Sequence, residues 1–183
     1  MSIEKVKELY KDYPEIPYIS EDRDVAKFLT EVVISKGKLV PKRNMERTVE
    51  NLLPGHIILL WRINFETFTT DSHFPKYFEY TYGVNGKKCL LELEKKDYIR
   101  KMTATESLIY LSVPILKNFL KEKGIRGLSK MKREDIDKAI LENFSNAELE
   151  NMFNIRGYEI TKKGTQLLTK YAHIVDKHPK KKY

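Results

Sequence analysis

Signals that start and stop helices lie close together in the C-terminal half of the sequence, and they restrict it to short elements. Thr103-x-x-Glu106 and Ser145-x-x-Glu148 have the spacing of capping boxes, which begin helices. Pro114 must interrupt a helix, because the residue before a proline avoids helical geometry. Gly124 can adopt the left-handed conformation that ends one. We therefore predict several short helices here.

Apolar residues at helical spacing mark the N-terminal half as well. Segment 22–35 carries one apolar stripe that predicts a helix. A second helix is predicted at 44–53, with Asn44 as its N-cap and Pro54-Gly55 as its stop. The apolar run Ile57–Trp61 fits either a buried strand or the middle of a core helix.

An aromatic-rich stretch follows at 65–82, and most of its rings are predicted to be core. The alternative is a platform for stacking bases, formed by Tyr77, Tyr80 and Tyr82. We predict a helix near 75–82 closed by Gly83. Asn85 or Gly86 is predicted to cap the next helix, with Leu90, Leu91 and Leu93 facing inward.

Two short runs that begin with tyrosine predict strands at 98–101 and 158–161. We expect them to pair as one hairpin with the helices between them as an insert. Thr161 is predicted to cap a last helix at 162–177. The predicted fold class is mainly α with a few short β-strands.

The distribution of charge predicts a polyanionic partner. Residues 112–183 hold 16 Lys and Arg against 9 Asp and Glu, whereas residues 1–111 hold 18 against 17. A basic half joined to a neutral half favours a partner such as nucleic acid. The alternative is that lysine-rich helices only keep the protein soluble.

Composition also bears on the cellular compartment. Cys89 is the single cysteine, so the chain can form no internal disulfide and no thiolate zinc site. The N-terminus lacks the apolar stretch of a signal peptide, and the longest apolar run is far shorter than a membrane span. We therefore expect a cytoplasmic protein without membrane association.

No pattern for catalysis or metal binding stands out. The four histidines lack partners at metal-ligand spacing. Asp71, His73 and Glu79 could be drawn as a nuclease cluster, but their spacing matches no motif. We expect no cofactor, no metal and no enzymatic activity.

The segment 111–141 carries the clearest motif. Leu116-Lys117-x-x-Leu120 is followed by Gly124-Ile125, a loop containing Ser129, and a second helix with Glu134 and Ile136. This pattern resembles the SAP module, at about 108–143, and the resemblance implies a two-helix DNA-binding fold. A purely structural helical hairpin is the alternative.

A wider resemblance covers roughly residues 74–172. The segments Phe74–Gly83, Leu93–Ile99 and Tyr158–Leu168, together with the hairpin, are similar to SAP-domain proteins of bacteria and their phages. Thr161–Leu168 also resembles the strand-to-helix exit of winged-helix proteins. These resemblances imply DNA association without a named activity.

The residues themselves support the same site. A glycine-ended first helix, a loop, and the N-terminus of a second helix place backbone N–H groups beside lysine and arginine side chains, which suits phosphate contact. The predicted DNA-binding residues are Lys117, Lys121, Arg126, Gly127, Ser129, Lys130, Lys132 and Arg133.

These observations predict a chain of five parts. They are an N-terminal arm (1–21), a helical and aromatic domain (22–102), the SAP-like module (103–145), a strand-helix segment packing back on the N-terminal domain (146–178) and a basic tail (179–183). The predicted function is binding of double-stranded DNA with low sequence specificity. The alternative is a protein-interaction adaptor or inhibitor of phage origin that uses its N-terminal half.

Overall fold

The computed structural model describes residues 2–179, with side chains from residue 4, and confirms a mainly helical fold. The predicted basic tail lies, apart from Pro179, outside the described residues. The helices are α1 Ser2–Leu9, α2 Val25–Val33, α3 Pro54–Ile63, α4 Tyr77–Tyr80, α5 Gly86–Lys95, α6 Val113–Glu122, α7 Arg133–Asn143, α8 Asn146–Met152, α9 Lys162–Lys170 and α10 Ala172–Asp176. The strands are β1 Ile99–Lys101 and β2 Tyr158–Ile160.

The chain divides into two compact units. Unit 1 contains the described residues up to Asn64, the segment His73–Ile99 and the described residues from Ile160 onward. Unit 2 contains Phe65–Ser72 and Arg100–Glu159.

The predicted pairing of the two strands is confirmed. β1 and β2 form a two-stranded sheet, flanked by hydrogen bonds from Thr161 N to Tyr98 O (3.0 Å) and from Met102 N to Gly157 O (2.9 Å). The strands are antiparallel, because the partner's residue number decreases from 161 to 157 as the number on the first strand increases from 98 to 102.

The core of unit 1 is built around α3. Of the two possibilities for residues 57–61, the structure shows the helix, and its side chains Ile57, Ile58, Leu59, Leu60 and Ile63 are fully buried. Pro54 lies in the first turn of α3. A backbone N–H at this position has no partner within the helix, so its absence in proline costs no hydrogen bond. Contacts with α5, α9 and α10 cover this helix.

The predicted helix at 44–53 is wrong. A 3-10 turn covers only Lys42–Met45, and Glu46 then turns extended with φ −93° and ψ 122°. Asn44 is buried, and its side-chain amide donates to the Thr81 carbonyl at 2.8 Å rather than capping a helix. Pro54 therefore begins the next helix instead of stopping one.

Other boundaries in unit 1 differ by smaller amounts. Asn85 caps α5 as predicted, by accepting from Lys88 N, but Leu91 is 58% exposed and does not face inward. The helix expected at 75–82 is limited to α4. The last predicted helix breaks at Tyr171, whose φ of −109° and ψ of 26° separate α9 from α10.

Unit 2 has a core of its own. Leu116 and Leu120 on α6 pack with Ile136 and Ile140 on α7, and all four are fully buried. The 3-10 turn Glu106–Tyr110 and α8 add to the same core, through buried residues that include Leu108 and Leu149. The predicted capping box of Thr103 and Glu106 forms at the start of this turn, and that of Ser145 and Glu148 forms at the start of α8.

Candidate nucleic-acid interface

The connection between α6 and α7 begins with a fixed helix end. Gly124 has a φ of +80°, which confirms the predicted left-handed position. Its N–H donates to Lys121 O at 2.9 Å, and Ile125 N donates to Leu120 O at 3.0 Å. These two bonds form a Schellman motif and satisfy carbonyl groups that the helix end leaves without partners.

The remainder of the loop has apolar anchors and polar outer positions. Gly127, with a φ of +80°, opens a 3-10 turn at Leu128–Lys130. Ile125 and Leu128 pack against the core of unit 2, while Arg126 and Ser129 remain exposed. The loop is thereby held in place with its polar side chains in solvent.

The N-terminus of α7 completes the connection. Lys132 is the N-cap residue, and its backbone N–H donates to Asp135 Oδ2 at 3.0 Å. The first backbone bond across the turn runs from Ile136 N to Lys132 O, so the three preceding N–H groups point out of the helix end. The carboxylates of Glu134 and Asp135 lie in this first turn, where they are favourable for the helix dipole and compete with any phosphate.

Five predicted cations are available at this connection. Lys121, Arg126, Lys130 and Lys132 are exposed, and Lys117 is half-buried. Within residues 2–179, none of the five forms an ion pair. They lie on α6, on the loop and at the start of α7, and together with exposed Gly127 and Ser129 they make up what we call the α6–α7 connection surface.

Arg133 departs from the prediction that it contacts DNA. Its Nε donates to the carboxylate of Asp137 at 2.8 and 2.9 Å. Its two terminal nitrogens donate to Leu111 O at 2.7 Å and Leu108 O at 2.8 Å. The guanidinium therefore joins α7 to the chain before α6, and these bonds use donors that a phosphate contact would need. The aspartate four residues later is the sequence signal for this role, because helix residues at i and i+4 are neighbours.

Other cations of unit 2 are also engaged internally. Lys123 Nζ lies 2.8 Å from Glu148 Oε1 and 4.7 Å from the centre of the Phe144 ring. The Arg156 guanidinium donates to the carbonyls of Phe153 and Ile155. Exposed Lys138 lies 3.9 Å from Glu142, whereas exposed Lys101 on β1 forms no ion pair among the described residues. Most of the cations of unit 2 without an ion pair there nevertheless lie at the α6–α7 connection surface.

The charge is divided differently from the two halves of the sequence. Unit 2 holds 11 Lys and Arg against 11 Asp and Glu, so its formal charge is zero. Residues 160–183, which fall in unit 1, hold 7 Lys and Arg against one acidic residue. The basic excess of 112–183 therefore lies mostly in residues 160–183, outside unit 2.

The tyrosines considered for base stacking have structural contacts in unit 1. Tyr82 is buried, and its hydroxyl lies 2.6 Å from His178 Nδ1. The hydroxyl of Tyr77 accepts from Arg62 at 3.0 Å. Tyr80 is 42% exposed, but its ring lies 4.2 Å from the Arg23 guanidinium carbon.

Neither a metal site nor a membrane span is present in the part of the chain that the structure describes. No three His, Cys, Asp or Glu side chains there are grouped to hold a metal ion, and no helix has both the length and the apolar character to cross a bilayer.

His56 is buried, with Nδ1 accepting from Leu53 N at 3.2 Å and Nε2 lying 2.6 Å from Glu92. Burial lowers the pKa of His56 despite this carboxylate.

Comparisons with protein-family models, with curated proteins and with solved structures give no match.

Proposed function

We propose that unit 2 binds nucleic acid through the α6–α7 connection surface, as a SAP-like module without catalytic activity. The observation that carries the proposal is the group of unpaired cations around a loop whose backbone is fixed. Gly124 and Gly127 allow the left-handed turns of this loop, and Ile125 and Leu128 anchor it to the core of unit 2. Lysine and arginine side chains near the free backbone N–H groups at the start of α7 are suited to contact the oxygens of a sugar–phosphate backbone.

The surface supports backbone contact more than base reading. Its side chains are lysines, Arg126 and Ser129, and lysine contacts phosphate as a point charge. Because unit 2 has no net charge, attraction depends on this local cluster and not on a long-range field. We therefore propose weak binding of duplex DNA with little sequence preference, with dissociation constants of about 10⁻⁴ to 10⁻⁶ M at physiological salt.

Fluorescence anisotropy with a random-sequence duplex, titrated with salt, tests this assignment. Replacing both Lys130 and Lys132 by Ala removes two phosphate contacts, so the slope of log K against log salt should become shallower by about 2. Lys138→Ala is the matched control, because Lys138 is an exposed cation on α7 outside the loop. Its slope should remain that of the unmodified chain.

An equal effect of the double variant and of Lys138→Ala would reject the α6–α7 connection surface as the binding site. The same titration with a single strand of equal length tests the preference for duplex. Tighter binding of the single strand at matched salt would contradict that part of the proposal.

We also propose that the protein acts in a reducing compartment such as the cytoplasm. Cys89 is buried, and burial raises the pKa of its thiol to about 12. The thiol is therefore neutral and unreactive, and it serves as a small core side chain.

A further inference from the structure

Unit 1 contains a cavity of about 540 Å³ whose rim is cationic. The residues around it come from the segment 38–48, from Pro54, from the pair Thr81 and Tyr82, and from the end of the described chain between Tyr171 and Pro179. The volume lies within the range of about 300–1,000 Å³ that is typical of small-molecule sites.

Three cations on the rim have no partner among residues 2–179. Lys38, Arg43 and Lys177 are exposed, and none of them forms an ion pair there. A fourth, Arg47, is already bonded to Glu15 and to the Asn51 carbonyl. Unit 1 carries the whole formal excess of +8, with 23 Lys and Arg against 15 Asp and Glu.

The lining contains little negative charge to neutralise this rim. Among the lining residues that the structure describes, Glu46 is the only carboxylate, and it is exposed. The nearby carboxylate of Glu50 does not line the cavity, and it is held by Lys170 and by the Tyr171 hydroxyl, each at 2.5 Å. The Tyr171 hydroxyl is therefore occupied, whereas its ring remains part of the cavity wall.

The inner wall combines rings with fixed polar groups. Tyr171 lines the cavity beside Pro41, Pro54 and Ile174. Tyr82 is also in the lining, but it is 3% exposed and its ring packs against Tyr77 and His178. The amide of buried Asn44 donates to the Thr81 carbonyl at 2.8 Å and cannot swing outward without losing that bond. The wall thus combines Tyr171, Ile174 and two prolines with polar groups such as Thr81 and His173, and its charged side chains are exposed.

We propose that this cavity binds a phosphorylated ligand of the nucleotide class. Its phosphate would lie among Lys38, Arg43 and Lys177, and its base against Tyr171, Pro41 and Pro54. A flat ring joined to an anion matches this combination better than an acidic peptide, which would leave the apolar wall unused. The source is either a free nucleotide or the terminal nucleotide of a nucleic acid strand. The inference rests on unit 1 alone and does not depend on the proposed function of unit 2.

Isothermal titration calorimetry on the full chain, with a deoxynucleoside monophosphate as the probe, tests the proposal. Arg43→Ala and Lys177→Ala should each weaken binding roughly tenfold, the order expected for one charge-assisted hydrogen bond. Lys95→Ala is the control, because Lys95 is an exposed cation on α5 that does not line the cavity. A chain ending at Pro179 separates the cavity from the tail lysines at 180–182, and it should retain binding.

The outcomes distinguish the sources of the ligand and separate this site from unit 2. Loss with both cavity variants but not with Lys95→Ala supports a free nucleotide. If only a 5′-phosphorylated oligonucleotide binds, and the cavity variants weaken that binding, the ligand is the end of a strand. The cavity variants should then weaken it equally in a chain in which Lys130 and Lys132 are alanine. Absence of binding to both probes, or equal weakening by Lys95→Ala, would overturn the inference while leaving the α6–α7 connection surface untouched. Circular dichroism of each exposed-site variant verifies that it is folded.

Discussion

Replacing Arg133 by Ala distinguishes a structural arginine from one that contacts DNA. In the structure its guanidinium donates to two backbone carbonyls and to Asp137. A hydrogen bond from a charged donor contributes about 1.5–3 kcal/mol. The side chain is 34% exposed, so water regains part of what is lost. We therefore expect the free energy of unfolding of unit 2 to fall by about 2 kcal/mol.

Urea denaturation followed by circular dichroism measures this loss, with amide hydrogen exchange at Leu120 and Ile140 as the report specific to unit 2. At ordinary urea dependence the midpoint should fall by roughly 1 M. The urea midpoint of Arg133→Lys should lie between those of the unmodified chain and of Arg133→Ala, because one ammonium group cannot donate to both carbonyls as the planar guanidinium does. Lys138→Ala, one turn along the same helix, should leave the midpoint almost unchanged.

The salt dependence of DNA binding supplies the second half of the test. If Arg133 acts only within unit 2, Arg133→Ala should leave the slope of log K against log salt unchanged under conditions where the variant is folded. A slope shallower by about 1, with no loss of stability, would refute this reasoning and return Arg133 to the phosphate contacts.

Two further predictions concern glycines and acid stability. Gly124→Ala should cost about 1 kcal/mol from backbone strain alone, because an added Cβ meets nothing within 4 Å. Gly164→Ala should cost more, about 3 kcal/mol, because its Cβ would lie 2.1 Å from the Tyr98 carbonyl oxygen, and thermal denaturation that ranks the two in the opposite order would contradict this. A hydrogen bond from Lys170 is the main cause that lowers the pKa of Glu50 to about 2 from its ordinary 4.5, so Glu50 stabilises the fold above pH 4.5 and loses that effect as the pH falls toward 2. Glu50→Gln should therefore reduce stability at pH 7 and flatten its decline between these values, and an unchanged urea midpoint at pH 7 would show that this carboxylate contributes nothing.

The sequence predicted most helices of unit 2 because their signals are local. Capping boxes, Pro114 and Gly124 act within a few residues, and the structure places the element boundaries near each of them. The pairing of β1 and β2 also followed from the sequence, since each strand is a short apolar run bounded by helices.

The failures have tertiary causes. Asparagine is a favourable N-cap residue, but the Asn44 side-chain amide donates to the carbonyl of Thr81, which lies 37 positions later in the chain. The internal bonds of Arg133 could not be predicted, because the sequence does not show that the carbonyls of Leu108 and Leu111 lie within its reach. The cavity of unit 1 was missed because its lining joins separate chain segments that no short motif connects.

The position of α3 in the chain has a consequence for synthesis on the ribosome. This largely apolar helix is covered partly by α9 and α10, which are translated about a hundred residues later. Until those last helices leave the exit tunnel, part of the hydrophobic surface of α3 stays exposed. A nascent chain with such an exposed surface is prone to aggregate or to recruit chaperones. Truncations that end at residue 160 or 161 should accordingly be recovered as insoluble protein, even though every residue of unit 2 is present in them.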